Sequence, residues 1–261
     1  MEGSDPADEP CDRGASLSDG AAAWSGATYE RIAEAFAPVH QRIVETLSPS
    51  AGEPFLDLAC GTGGIALIAA RAGADVTGLD ISADQIEKAR AAAEDAGLSV
   101  RFDEGDAQSL PYPDGAFGVV ASAFGIIFAP DHARAAAELT RVCRPDAGFA
   151  ITTWTRDEWF QLGMRLRPDY EGVTSQRWAD QEYVCDLFPE AELSFERGEV
   201  TISAASADEC WQLLSTSVPP LKAWLETLGP DERESAGRDY KQLLGDGALT
   251  REYVLILGTR R

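Results

Sequence analysis

Residues Phe55–Gly64 read FLDLACGTGG. An apolar run meets an acid at Asp57, and the chain then breaks into three glycines around Thr62. Glycine at the end of a parallel strand lets a ligand approach the backbone, because no Cβ stands in the way. A helix that starts there offers unpaired N–H groups and the positive end of its dipole. Gly61, Gly63 and Ala66 satisfy the loose dinucleotide pattern G-x-G-x-x-A. A glycine-rich turn is also ordinary punctuation, so the pattern alone assigns no ligand.

Outward from this stretch the chain alternates. Pro54–Ala59 reads as a strand, 63–72 as a helix closed by Gly73, and Asp75–Asp80 as a strand. Ser82 with Gln85 three residues on is a capping box that opens a helix ending at Gly97. Strands follow at 99–104, 117–123 and 148–154, with a helix from Asp131 to about Cys143 between the last two. Strand–helix units joined by short loops imply an α/β fold, a doubly wound, mostly parallel sheet with helices on both faces. Upstream, 29–47 carries Ile32, Phe36, Val39, Ile43 and Leu47 on one helical stripe, interrupted by Pro38. Downstream, 155–179 reads as irregular. Helices are expected at 182–187, 207–214 and 221–244, and strands at 192–203 and 252–259. The domain reading is an acidic tail over 1–22, expected to be disordered, and one domain over 23–261. That domain divides into a helical cap (23–52), a cofactor-binding core (53–154), substrate-side insertions (155–248) and a last strand (249–261).

Two more acids stand at strand ends. Asp80 closes "VTGLDIS", where a carboxylate can accept two hydrogen bonds from a ribose diol. Asp106 follows the next strand, across the crevice, within reach of an adenine amino group. Three polar devices at one switch point of the sheet describe an adenosine site. Asp57, just before the glycines, opposes a pyrophosphate and suits an ammonium or sulfonium group.

The 261 residues are 44% hydrophobic and carry a formal charge of -22, a field that repels nucleic acid and anionic lipid. Five widely spaced cysteines without a C-x-x-C give neither a disulfide framework nor a zinc pattern. No apolar run approaches the ~20 residues of a membrane span. These features fit a cytoplasmic protein with a small-molecule partner, and a homodimer is compatible with them.

"DLACGTGG", "GLDIS", "GDAQSLPYPDGAF" and "AELTRVCRPDAG" resemble, in order and spacing, the successive motifs of class I S-adenosylmethionine-dependent methyltransferases. "WSGATYERIAEAFAPV" and "FGIIFAPDHARAAAELTRV" resemble the bacterial small-molecule subgroup that includes the ubiquinone/menaquinone methyltransferases, and "EYVLILGTRR" looks like its antiparallel seventh strand. The resemblance implies a Rossmann-like seven-stranded sheet with a helical cap and lid, and S-adenosylmethionine as cofactor, released as S-adenosylhomocysteine. By position it places Asp57, Gly61 and Gly63 around the cofactor's methionine end, with Ala59, Thr62 and Gln85 also assigned to the cofactor site. It gives Asp80 the ribose, Ile81 the adenine face, and Asp106 with the Ala107 N–H the adenine edge. The Ser122 carbonyl would lie near the amino group, Phe124 close by, and Tyr29 would reach in from the cap. Ala59 stands where the family often has glycine, Gly118 replaces a common aspartate, and Asp146 takes a turn position that favours a left-handed residue.

Methyl transfer from a sulfonium needs alignment above all; a base is needed only if the nucleophile must lose a proton. His132, in "FAPDHARA", is the candidate base beside the crevice mouth, with a solvated helix-start histidine as the structural alternative. His40 reads as a surface residue of the cap. Packing explains each tryptophan outside the core motifs by default, but several fall where the site would be roofed and suggest a flat, apolar acceptor; Arg165 and Arg167 could meet a carboxylate or be solvated, and read as solvated. No converging carboxylates suggest a metal. Two other readings are a nicotinamide-dependent oxidoreductase, against which Asp57 argues, and a repurposed S-adenosylmethionine-binding protein without acceptor turnover.

Overall fold

The computed structural model describes residues 30–167 and 175–261. The tail at 1–22 and Tyr29 lie outside the described residues. Seven strands form one sheet: β1 (Pro54–Leu58), β2 (Asp75–Asp80), β3 (Arg101–Glu104), β4 (Phe117–Ala123), β5 (Cys143–Trp154), β6 (Ala191–Ser203) and β7 (Ala248–Arg260). Their order is β3-β2-β1-β4-β5-β7-β6. The first five run parallel, β7 lies antiparallel to β5, and β6 is antiparallel to β7. The chain leaves β1 towards β2 on one side and later enters β4 on the other, so the β1/β4 boundary is the switch point where such sheets bind ligands.

Helices α1 (Glu30–Ala35) and α2 (Ala37–Leu47) form the cap. Their break sits where expected: Pro38 occupies the first turn of α2, the helical position that tolerates a missing N–H. Helices α3 (Gly64–Arg71), α4 (Ala83–Asp95) and α5 (His132–Val142) connect the parallel strands. The Ser82 cap of α4 is present, its hydroxyl accepting the Gln85 N–H. Asp146 has φ 65°, the left-handed turn residue expected. Two apolar layers cover the sheet. One, with Ile43, Phe55, Ile65 and Ala69, packs it against α2 and α3; the other, with Leu56, Val120, Leu139 and Phe149, packs it against α5.

Beyond β5 the sequence reading needs two corrections. The segment read as irregular contains α6 (Glu158–Leu166), started by Asp157, whose carboxylate accepts the Phe160 N–H. The helix expected over 221–244 is two, α9 (Pro219–Thr227) and α10 (Pro230–Gln242), because Pro230 has no N–H to continue the ladder and its ring blocks the preceding turn. Helices α7 (Gln181–Leu187) and α8 (Ala207–Ser217) complete the substrate-side half.

Candidate functional site

A cavity of about 300 Å³ opens at the β1/β4 switch point, within the size range of small-molecule sites. Its floor is the loop after β1. Gly61 has φ 52°, and a Cβ there would meet nothing within 4 Å, so this glycine leaves the backbone open to a ligand. Gly63 does other work. It caps α3 at φ 85°, and a Cβ there would press on Ala89 and Phe102, so its bareness serves helix packing. Ala59 adopts φ 56° without being glycine, and its methyl fills the space a Cβ on Gly125 would need, 2.4 Å away. Phe124 is also left-handed, at φ 57°. Two strained non-glycine residues thus lie in one cavity wall, a concentration typical of functional sites.

One end of the cavity is acidic. Asp57 is 2% exposed, and its Oδ2 accepts the Ala66 N–H in the first turn of α3 at 2.8 Å. Burial pushes this carboxyl up to about 7, only partly offset by that bond, and Asp80 raises it further. Asp80 bridges two loops, accepting the Gly61 N–H at 2.8 Å and the Ser82 N–H at 2.9 Å. Burial raises its carboxyl too, opposed by those backbone bonds. Asp106 is held by Gln108, whose backbone N–H it accepts at 2.9 Å. An acid already seated on the start of α3 and driven towards neutrality by burial disfavours a diphosphate there. A cation restores its charge, so the donor set fits an adenosine ligand with a positively charged tail.

The other end is apolar. Phe124 stacks on Trp154 with centroids 4.0 Å apart and planes at 12°, and Phe36 packs on both. Trp159, Leu214 and Leu249 extend this wall.

The structure brings most of the expected residues together. Asp57, Ala59, Gly61 and Thr62 line the cavity, as do Asp80, Ile81 and Gln85, and beyond them Asp106, Ala107 and Phe124. Ser122 is fully buried behind the wall, its Oγ accepting the Ile126 N–H at 3.0 Å. His132 is not brought to the cavity, and it is not solvated either. It is 5% exposed, its Nδ1 lies 2.8 Å from the Tyr183 hydroxyl, and its ring packs against Trp178. Burial lowers its pKa. Of the tryptophans, Trp154 and Trp159 reach the cavity, while Trp178 is core and Trp211 stacks on Tyr240. Arg165 is exposed as expected, but Arg167 lies over the Trp224 ring.

Two basic lining residues escaped the sequence reading. His40, read as surface, faces the start of α3, its Nδ1 2.4 Å from where a Gly64 Cβ would sit. Burial holds its imidazole down at about 4. The signal was available: Phe36, His40 and Val44 recur at i, i+4 on one helical line. Arg251 is the second. Leu249, Arg251, Tyr253 and Leu255 alternate onto one face of β7, so a cation interrupts an otherwise apolar face.

Among the described residues no helix is long and apolar enough to cross a membrane, and no group of three or more His, Cys, Asp or Glu could hold a metal ion. A family profile described as a methyltransferase domain matches residues 55–146. An uncharacterized protein of Mycobacterium tuberculosis is 30% identical over 257 residues, covering 92% of this chain and 93% of its own. The demethylmenaquinone methyltransferase of Thermus thermophilus is 46% identical over 113 residues, 42% of this chain and 51% of that one. A crystal structure of a putative methyltransferase from Bacillus halodurans shares the fold with a TM-score of 0.61 at 18% identity, covering 84% of this chain and 97% of its own.

Proposed function

The chain belongs to the class I S-adenosylmethionine-dependent methyltransferases, and from that premise we propose that it methylates a flat, apolar small molecule by in-line displacement. One observation carries this reading: a single cavity joins an acidic, glycine-floored end to an aromatic end built on Phe36, Phe124, Trp154 and Trp159. S-adenosylmethionine supplies an electrophilic methyl on a sulfonium when bound. In this reading Asp80 would hold the ribose diol, Asp106 and the Ala107 N–H would read the adenine edge, and Asp57 would balance positive charge at the methionine end. The stacked Phe124–Trp154 pair makes this end of the cavity aromatic, which suits a flat acceptor, and the apolar wall excludes water from the transfer.

Alignment is the chain's main contribution, worth up to ~7–11 kcal/mol in well-oriented intramolecular reactions. His132 receives no catalytic role in this reading, because Tyr183 and Trp178 hold it away from the cavity. His40 is the histidine that reaches the cavity, and its burial keeps it neutral near pH 7, where it can accept a hydrogen bond but binds a proton poorly. The test is calorimetric titration with S-adenosylmethionine, S-adenosylhomocysteine and NADH, paired with mass spectrometry of molecules that co-purify. The reading expects one site for each sulfur compound, none for NADH, and a co-purified aromatic or polycyclic acceptor. Binding of NADH with neither sulfur compound bound would remove it.

A further inference from the structure

We propose that Arg251 is a specificity residue for the acceptor, and that the acceptor carries an anionic oxygen group, such as a carboxylate, on its flat apolar body. This inference rests on the methyltransferase reading and adds the chemical class of the substrate.

Arg251 lies in β7 and lines the cavity. Its side chain is 11% exposed and ion-paired through Nε to Asp157, itself 13% exposed. Asp157 is fixed in turn because its other oxygen caps α6. The guanidinium carbon sits 4.8 Å from the centroid of the Trp154 ring. The cation is therefore clamped on two sides, by a carboxylate and an aromatic face. Its two terminal nitrogens find no hydrogen-bond acceptor among the described residues. A guanidinium has five N–H donors, and the terminal nitrogens of Arg251 are not among the buried, unpartnered side-chain atoms of the described residues, so their donors stay open to a ligand. Phe36, Trp159, Leu214 and Leu249 line the same cavity and cannot accept in the side chain; the Tyr240 hydroxyl is near enough to interact electrostatically with the guanidinium but makes no hydrogen bond to it. A carboxylate entering the cavity would meet a pre-oriented fork, the geometry in which arginine binds oxyanions in two parallel bonds.

The cofactor's own carboxylate is the alternative anion, and the sheet argues against it. β7 stands three strands from β1, across β4 and β5, and adjacent strands lie ~4.8 Å apart, so Arg251 is displaced ~14 Å along the sheet from the strand that feeds the glycine loop. His40, not Arg251, faces that loop. The other charged lining groups, Asp57, Asp80 and Asp106, gather on the glycine-loop side.

The test uses two flat probes of equal shape, 2-naphthoate and 2-naphthamide, titrated by tryptophan fluorescence into the full chain saturated with S-adenosylhomocysteine. The expected result is naphthoate binding at least about tenfold more tightly than naphthamide. In Arg251→Gln that preference falls to within about twofold, while the affinity for S-adenosylhomocysteine, measured separately by calorimetry, is unchanged. Because Arg251→Gln strands the Asp157 carboxylate, the Asp157→Asn/Arg251→Gln double variant is measured beside it, with the same expectation. Equal affinities in the wild type, no binding of either probe, or a preference that survives in both variants would overturn the proposal. So would a loss of S-adenosylhomocysteine affinity in a folded variant, which would assign Arg251 to the cofactor. Failure of the wild type to bind S-adenosylhomocysteine at all would instead strike the methyltransferase reading.

Discussion

Replacing Asp57 by asparagine removes a charge and keeps a hydrogen bond, because an amide oxygen can still accept the Ala66 N–H now bound at 2.8 Å. In the wild type, burial holds the carboxyl at about 7, so below neutrality the ligand-free protein carries it protonated. A cation at ~4 Å in surroundings of effective dielectric ~20 favours the carboxylate by ~4 kcal/mol, roughly three pH units. Binding then requires ionisation, and the affinity of the wild type for S-adenosylmethionine rises roughly 25-fold between about pH 5.5 and about pH 7.5. His40, held at about 4, stays neutral over this window, as does the Cys60 thiol, which burial pushes well up. The ligand's α-amino group titrates only at about pH 8. Asp57→Asn is expected to bind about 100- to 1000-fold more weakly at about pH 7.5 and to lose most of the pH dependence, any remaining slope reporting Asp80.

The same substitution has a second, opposite consequence. A carboxyl raised on folding gives stability that is complete below its unfolded value near 4 and is lost as pH rises through about 7. Asp57→Asn does not suffer that loss, so the ligand-free variant should be more stable than the wild type above neutrality, by up to about 4 kcal/mol, and the gap should close towards about pH 4. Calorimetric titrations across pH, with urea denaturation of the ligand-free proteins, read both effects. An affinity independent of pH in the wild type, or an unchanged slope in Asp57→Asn, would refute the assignment of Asp57 as counter-charge.

Asp80→Ala should abolish measurable binding of S-adenosylhomocysteine by calorimetry, since it also unpins Gly61 and Ser82, whereas His132→Ala should leave that affinity within about twofold and lower stability by ~1–3 kcal/mol in urea, through the lost Tyr183 bond and Trp178 contact. His40 is depressed on folding, so the unfolded chain takes up its proton first, and stability should fall as pH drops from about 6.5 towards 4. His40→Gln should remove that component from a denaturation series over the same range. Gly125→Ala should be strongly destabilising because its methyl would lie 2.4 Å from the Ala59 Cβ; Ala59→Gly should rescue it only in part, since the Ala59 carbonyl oxygen remains 2.9 Å away, and a double-mutant cycle by thermal melts measures the coupling.

The cofactor half was legible because its devices are local. Asp57 lies near the end of one strand, Gly61 and Thr62 follow that strand, and Asp80 ends the next, so once the alternation places β1 and β2 side by side, their positions follow from the topology. β2 and β4 begin and end at the expected residues for the same reason: each is an apolar run bounded by polar or turn-forming residues. The acceptor half is assembled differently. Its wall draws Phe36 from the cap, Trp159 from α6, Leu214 from α8 and Arg251 from β7. No spacing in the chain relates these positions; only the packing of the cap, α6 and α8 around β7 brings them together.

At both ends of the cavity, the informative residues beyond those motifs are the ones that break a local pattern. Arg251 interrupts the apolar face of β7, and His40 interrupts an apolar line on α2. A strand or helix that must bury one face tolerates a polar group there only if something compensates its desolvation. For Arg251 the chain itself compensates one donor, through Asp157, and leaves the terminal nitrogens facing the cavity. Had the residue served only to tie β7 to α6, one bond to a lysine ammonium would have met the need, without a planar fork laid over Trp154. A guanidinium held by one edge, with its other edge towards a cavity, costs stability in the free protein, and that cost is recovered when an oxyanion arrives. The same logic holds at the opposite end, where Asp57 is buried at a penalty that a cation relieves. Both ends of the cavity thus store unfavourable electrostatics of opposite sign, and a donor and an acceptor of matching charge would each relieve one of them.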